Sequence, residues 1–148
     1  MYLVRVSIDT NVIYQALRDT SGASNFIVRL VRQRKLELAL SIPVFSEYSD
    51  VLLREKSLQD LELTKKDIKD FLDYIISVAS PFSISFRLRP NLSDEADNIF
   101  VELAFTSNSK FLITSNIRDY TIGNNLIFDS FKTITPTDFV RMWRKFYV

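Results

Sequence analysis

The residues of this chain best suited to chemistry are carboxylates, and the first closes a strand. Val4-Arg5-Val6-Ser7-Ile8 is an apolar, β-branched run of the kind that forms a buried strand. It stops at Asp9-Thr10-Asn11, an acid, a hydroxyl and an amide in succession. Asp9 thus stands where the strand leaves the sheet, with Thr10 or Asn11 free to cap a helix that follows at once. Open α/β sheets bind ligands just outside the carboxyl ends of their strands. An Asp at that point with nothing basic beside it suits a hard divalent cation. The bland alternative is that Asp9 itself is the N-cap, which alone would justify the residue.

Further acids lie at three comparable points. Glu47 follows Ser41-Ile42-Pro43-Val44-Phe45-Ser46, and at about 100° per residue Val44, Tyr48, Val51 and Leu52 define the buried arc of its helix. Glu47 falls at the edge of that arc, whereas Ser46 and Asp50 face away; dipole compensation in a first turn is the competing explanation. Asp94 and Asp97 are spaced as a cap and its partner three residues on. Helical phase separates them, because Asp97 projects beside Phe100 and Ala104 while Asp94 projects well away, so Asp97 is the expected ligand and Asp94 a cap or outer support. Asp119 comes just past the buried run Phe111-Leu112-Ile113-Thr114, with Asn116 adding an amide to the Thr114 hydroxyl. Asp9, Glu47 and Asp119 follow strand ends and the fourth acid opens a helix; in a parallel sheet those points share one edge. Carboxylates crowded there repel one another by several kcal/mol unless cations neutralise them.

Two absences narrow the chemistry. The 148 residues contain no cysteine and no histidine. Thiolate nucleophiles, disulfides, iron–sulfur sites, Ser-His-Asp arrangements, most zinc sites and imidazole bases are therefore excluded. Oxygen ligands remain, and they select Mg²⁺, Mn²⁺ or Ca²⁺. Such ions suit phosphodiester hydrolysis. The net charge of +1 gives no global basic field, but local clusters occur at Arg29-Arg32-Arg34-Lys35, Lys65-Lys66 and Arg141-Arg144-Lys145. These are ordinarily solvated helix faces, and otherwise candidate contacts to nucleic acid. With 47% apolar and 25% charged residues the chain reads as one soluble globular domain over 1–148. No apolar run approaches the roughly 20 residues needed to span a bilayer, and no leader precedes the first strand, so the expectation is a cytoplasmic protein.

The elements that must position the acids alternate. Helices are expected over 11–18, from Ala23 through Val31, around Val44–Leu52, weakly around Leu58–Leu63, after the capping box Thr64-Lys65-Lys66-Asp67, over 94–107, and after Thr135-Pro136-Thr137-Asp138. The last should bury Phe139, Met142, Trp143 and Phe146. Strands are expected over 4–8, 36–42 (ended by Pro43), 82–88, 111–114, 126–128 and 132–134. This order points to a parallel sheet covered on both faces.

Taken together, Ile8-Asp9-Thr10-Asn11-Val12-Ile13, Ser46-Glu47-Tyr48 with Val51-Leu52, Asp94-Glu95-Ala96-Asp97-Asn98 and Thr114-Ser115-Asn116-Ile117-Arg118-Asp119-Tyr120 closely resemble the PIN-domain family, in order and rough spacing. Ile134-Thr135-Pro136 before a last amphipathic helix is similar too, so the resemblance spans essentially the whole chain. It implies a Rossmann-like three-layer α/β/α sandwich with a central, mostly parallel sheet. It also implies Mg²⁺- or Mn²⁺-dependent cleavage of RNA. Small members of that family are often VapC-like toxins of type II toxin–antitoxin pairs, commonly homodimers, held inactive by a small antitoxin protein. Carried over by motif, Asp9, Glu47, Asp97 and Asp119 are the acidic set, with Asn11, Thr114 and Asn116 orienting the acids or the attacking water. Asn116 stands where some relatives carry another acid.

The leading expectation is therefore an endoribonuclease with Lys or Arg of flanking helices on the RNA backbone. A phosphatase using Asp9 as nucleophile would want a second acid two residues on, where this chain has Asn11. A non-catalytic binding module with structural acids is the third reading.

Overall fold

The computed structural model describes residues 3–84, 95–122, 125–126 and 130–147, and of 95–97, 121–122 and 125–126 the backbone alone. In chain order the elements are β1 (Val4–Ile8), α1 (Thr10–Arg18), α2 (Ala23–Arg32), β2 (Leu36–Leu40), α3 (Ile42–Leu52), α4 (Glu55–Leu61), α5 (Lys65–Val78) and β3 (Ser80–Pro81). They continue with α6 (Glu95–Thr106), β4 (Phe111–Ile113), a 3₁₀ turn (Ile117–Tyr120), β5 (Thr121–Ile122), β6 (Asn125–Leu126), β7 (Lys132–Ile134) and α7 (Pro136–Phe146). The main sheet runs β3-β2-β1-β4-β7 with every pairing parallel, and β5 and β6 form a separate antiparallel pair. Helices cover the sheet as the outer layers of an α/β/α sandwich, with α2 packed on α7 and α3 on α6.

The order of strands decides where a site can form. The chain winds outward from β1 through β2 to β3, then returns to place β4 on the other side of β1. Register sets Ile8 beside Ile113, so the carboxyl ends of β1 and β4 are neighbours at the point where winding reverses. The Asp9 N–H donates to the Ile113 carbonyl at 2.9 Å, and the Thr114 N–H to the Ile134 carbonyl at 2.9 Å. Beneath that edge Val6, Ile8, Leu38, Leu112 and Ile113 are fully buried, under Phe100, Leu103 and Ala104 of α6 and Phe139 of α7. Each fully buried aliphatic or aromatic side chain is worth roughly 1.5–3 kcal/mol, so the strand ends rest on a stiff floor.

Several boundaries depart from the sequence expectations. The second strand ends at Leu40, not residue 42, because Ser41 caps α3 by accepting the Val44 N–H at 3.3 Å. Pro43 lies in the first helical turn, where its fixed φ favours a helix and its missing N–H costs nothing. Ile42, apolar and continuous with the strand pattern, is 83% exposed. The fifth helix begins as expected, with Thr64 Oγ1 accepting the Asp67 N–H at 3.1 Å and Asp67 accepting the Thr64 N–H at 2.9 Å. It ends at Val78, and edge strand β3 forms at Ser80–Pro81 rather than from Phe82. Residues 82–84 carry no strand, and 85–88 lie outside the described residues, as do 127–128. Leu58 and Leu61 belong to α4. Phe146 is 67% exposed despite its place on the apolar stripe of α7. Tyr147, itself exposed, stacks on Trp143 with centroids 4.7 Å apart.

Candidate metal centre

Asp9 occupies the N-cap position of α1, yet its side chain makes no capping bond. Its carboxylate turns across the β1–β4 edge. Oδ2 accepts three side-chain donors: Thr114 Oγ1 at 2.7 Å, Tyr120 Oη at 2.9 Å and Asn11 Nδ2 at 3.3 Å. No side-chain donor among the described residues reaches Oδ1. The capping explanation of Asp9 therefore fails on its own geometry, and neither Thr10 nor Asn11 takes over as cap. Thr10 is the first residue of α1, with a buried hydroxyl that has no partner among the described residues. Asn11 is a bridge, since its Oδ1 also accepts the Ser115 N–H at 3.2 Å.

The partners are held in turn. Thr114 is fully buried and its Oγ1 accepts the Asn116 N–H at 3.1 Å, which fixes the hydroxyl to point its proton at Asp9. Tyr120, 2% exposed, ends the 3₁₀ turn that carries Asp119. On the other side, the buried Tyr48 hydroxyl donates to the Ile8 carbonyl, tying α3 and thus Glu47 to the end of β1. Burial and the neighbouring Asp9 charge push the Tyr48 phenol well above its ordinary value, so it remains a donor.

Asp9 is 5% exposed. Burial pushes its carboxyl above the usual range; the bonds from Thr114, Tyr120 and the Thr10 backbone pull it down, and the Asp119 charge pushes it up again. Among the described residues no lysine or arginine forms an ion pair with Asp9. A buried carboxylate that accepts three donors and has no cationic partner among the described residues is a donor that fits a divalent ion with oxygen ligands.

Of the residues expected at this site, the structure gathers Asp9, Asn11 and Thr114, brings in Asn116 through its backbone, and sets Asp119 where its charge acts on Asp9. Glu47 is half-buried on α3, while Ser46 and Asp50 are exposed as its phase required. Among the described residues no three carboxylates lie close enough together to hold a metal. The Asp97 side chain and all of Asp94 lie outside them, although Asp97 is in the first turn of α6. Tyr120 is a support for Asp9 that sequence reasoning misses. Its one signal in the sequence is a tyrosine placed directly after the loop acid.

A family model described as PIN domain matches residues 5–118. Among solved structures, the crystal structure of VapBC2 from Rickettsia felis bound to a DNA fragment from their promoter is similar, with a TM-score of 0.62 and 16% identity over 89% of this chain and 98% of that chain. At that identity the likeness is one of fold. No curated protein matches the chain.

Proposed function

The chain belongs to the PIN-domain family, and from that premise we propose that it is a Mg²⁺- or Mn²⁺-dependent endoribonuclease. The observation that carries this reading is Asp9, a buried carboxylate at the strand-order switch point, oriented by three donors and lacking a cationic partner among the described residues. Asp9, Glu47, Asp97 and Asp119 would hold the ion. When bound, a divalent cation supplies Lewis-acid polarisation of the phosphate, a lower pKa for the attacking water and charge stabilisation of the leaving oxygen.

The residues around it have separate tasks. Thr114, Tyr120 and Asn11 favour the anionic form of Asp9 and fix it through Oδ2, which leaves Oδ1 with no side-chain donor among the described residues. Asn11 also couples Asp9 to the backbone of the 115–116 loop, so the two sides of the switch point hold a constant separation. Asn116 and Asp94 would serve as supports, as the family resemblance implies. The overall reaction is hydrolysis: a water oxygen bonds to phosphorus, the bond from phosphorus to the 3′ oxygen breaks, and a 3′-hydroxyl and a 5′-phosphate remain.

The biological setting we propose is that of a VapC-like toxin of a type II pair, acting in the cytoplasm as a homodimer and restrained by a small antitoxin. The shared fold with the toxin–antitoxin structure supports this, and among the described residues no helix is long and apolar enough to cross a membrane. The test is incubation of the purified protein with RNA and Mn²⁺, with and without chelator, beside Asp9→Asn. Cleavage that needs metal and is lost in Asp9→Asn is expected. Metal-dependent hydrolysis of small phosphomonoesters but not RNA would transfer the site to phosphatase chemistry, and neither activity nor metal binding would make it a silent binding module.

A further inference from the structure

The rim of the carboxylate centre continues away from Asp9 over α2 and α7. Ser115, whose N–H bonds to Asn11, borders a cavity of about 280 Å³ between the start of α2 and the first turn of α7. That cavity shares Gly22, Ala23 and Thr137 with a second one of about 270 Å³, so the two form one furrow leading from the centre. The far cavity is walled by Arg29 of α2 and by Arg141 and Arg144 of α7, and no carboxylate lines it among the described residues.

Two of these arginines form no ion pair among the described residues. Arg144 lies 5.1 Å from the Phe26 ring centroid and Arg29 lies 5.7 Å from it, so one half-buried aromatic steadies two guanidinium groups. Among the described residues neither Arg29 nor Arg144 has an ion pair, and Arg141 reaches the exposed Asp138 only at 3.8 Å. Asp19, at the near cavity, is committed to Ser21, accepting its N–H at 3.0 Å and its hydroxyl at 2.8 Å. In a chain of net charge +1, three guanidinium groups converging on one hollow are a local concentration, not a global surplus. Arginine's planar fork matches phosphate oxygens two at a time, and stacking on an aromatic removes rotamer freedom before the ligand arrives.

We infer that this furrow is a phosphate clamp for RNA, in which Arg29, Arg141 and Arg144 grip the sugar–phosphate backbone beyond the scissile bond. The inference rests on the nuclease reading and gives its substrate a path from the carboxylate centre to α2 and α7. A dinucleotide would be cut without the clamp, whereas a longer single strand would use both.

The test is fluorescence anisotropy of a labelled single-stranded RNA oligonucleotide with the full chain in chelator, so that nothing is cut. Arg29→Gln and Arg144→Gln keep the stem against Phe26 and remove the charge; melting curves verify folding, and Lys69→Ala on α5 is the control. Each Gln variant should weaken binding on the order of tenfold and flatten the salt slope by about 0.7 for each phosphate it no longer grips, with the control unchanged. Phe26→Leu should weaken binding while leaving the salt slope as it was. With Mn²⁺, the Gln variants should lose efficiency on the oligonucleotide and not on a dinucleotide. Wild-type binding and salt slope in both Gln variants would overturn the clamp while metal-dependent cleavage by the wild type kept the nuclease reading intact. Loss of binding to a polyglutamate peptide but not to RNA would also overturn it, making the patch a protein-docking surface. Failure of the wild type to cut any RNA with any divalent ion would instead sink the nuclease reading.

Discussion

Tyr120→Phe removes one oxygen from the interior and nothing else. The ring stays packed at 2% exposure, and the Oη–H donated to Asp9 Oδ2 at 2.9 Å is lost. Hydrogen bonds to charged groups contribute roughly 1.5–3 kcal/mol. Three side-chain donors share Oδ2, so the lower end applies, about 1.5 kcal/mol with Asp9 ionised. For a chain of this length that is a fall of about 5 °C in melting temperature at roughly 3 °C per kcal/mol. The pH dependence carries the sharper signature. Burial raises the folded-state pKa of Asp9 above its unfolded value, so folding binds a proton more tightly. Stability of the metal-free protein is therefore fullest below the unfolded value, declines as pH rises through the folded one and stays low above it. Removing a donor that favours the anion raises the folded-state pKa further and deepens that decline. The gap between wild type and Tyr120→Phe should be widest at neutral to alkaline pH and narrow in acid. It should also shrink in an Asp9→Asn background, where no anion remains to be stabilised. Thermal unfolding in chelator across pH, in all four combinations, measures this directly. A gap independent of pH and of residue 9 would refute the reasoning.

Asp9→Asn alone should raise the melting temperature of the metal-free protein at neutral pH, since it removes a buried charge; a lower value would contradict this. Saturating Mn²⁺, at about a hundred times its dissociation constant, should stabilise the wild type by about 2.7 kcal/mol, or roughly 8 °C, and chelator should reverse the shift. Thr114→Val, nearly isosteric, should cut turnover on the order of tenfold with little change in KM, because it frees a carboxylate to wander rather than removing a group that touches substrate. At the surface, hydrogen bonds within the capping box hold Asp67 below the ordinary carboxylate range. Its contribution should persist above the unfolded value and vanish as pH falls through the folded one, so the melting-temperature gap between wild type and Asp67→Asn should close in acid.

How much of the molecule is legible in its sequence depends on how local the cause is. Asp9 is legible because the β-branched run 4–8 halts abruptly at three polar residues, and strand alternation with helices suffices for a parallel sheet. The phase of Glu47, Ser46 and Asp50 follows from helical geometry alone. The end of β2 is misplaced because Ile42 extends the apolar pattern, while the deciding bond, Ser41 to the Val44 N–H, belongs to the next element. Phe146 is misread because a stripe says which face is apolar, not where the partner surface stops. The role of Tyr120 is signalled only by its place directly after the loop acid, because its hydroxyl reaches Asp9 across 111 residues through a 3₁₀ turn that no pattern announces. The basic clusters that hold Arg29, Arg141 and Arg144 stand in the sequence, but their convergence on one hollow from two helices far apart in the chain does not.

The central claim is that the buried carboxylate at position 9 exists to hold a divalent cation. Electron paramagnetic resonance of added Mn²⁺ counts the ion bound by the protein without requiring any substrate. Wild type should take up Mn²⁺ that Asp9→Asn does not, with both proteins folded by melting curve. Equal uptake by the two would contradict the account.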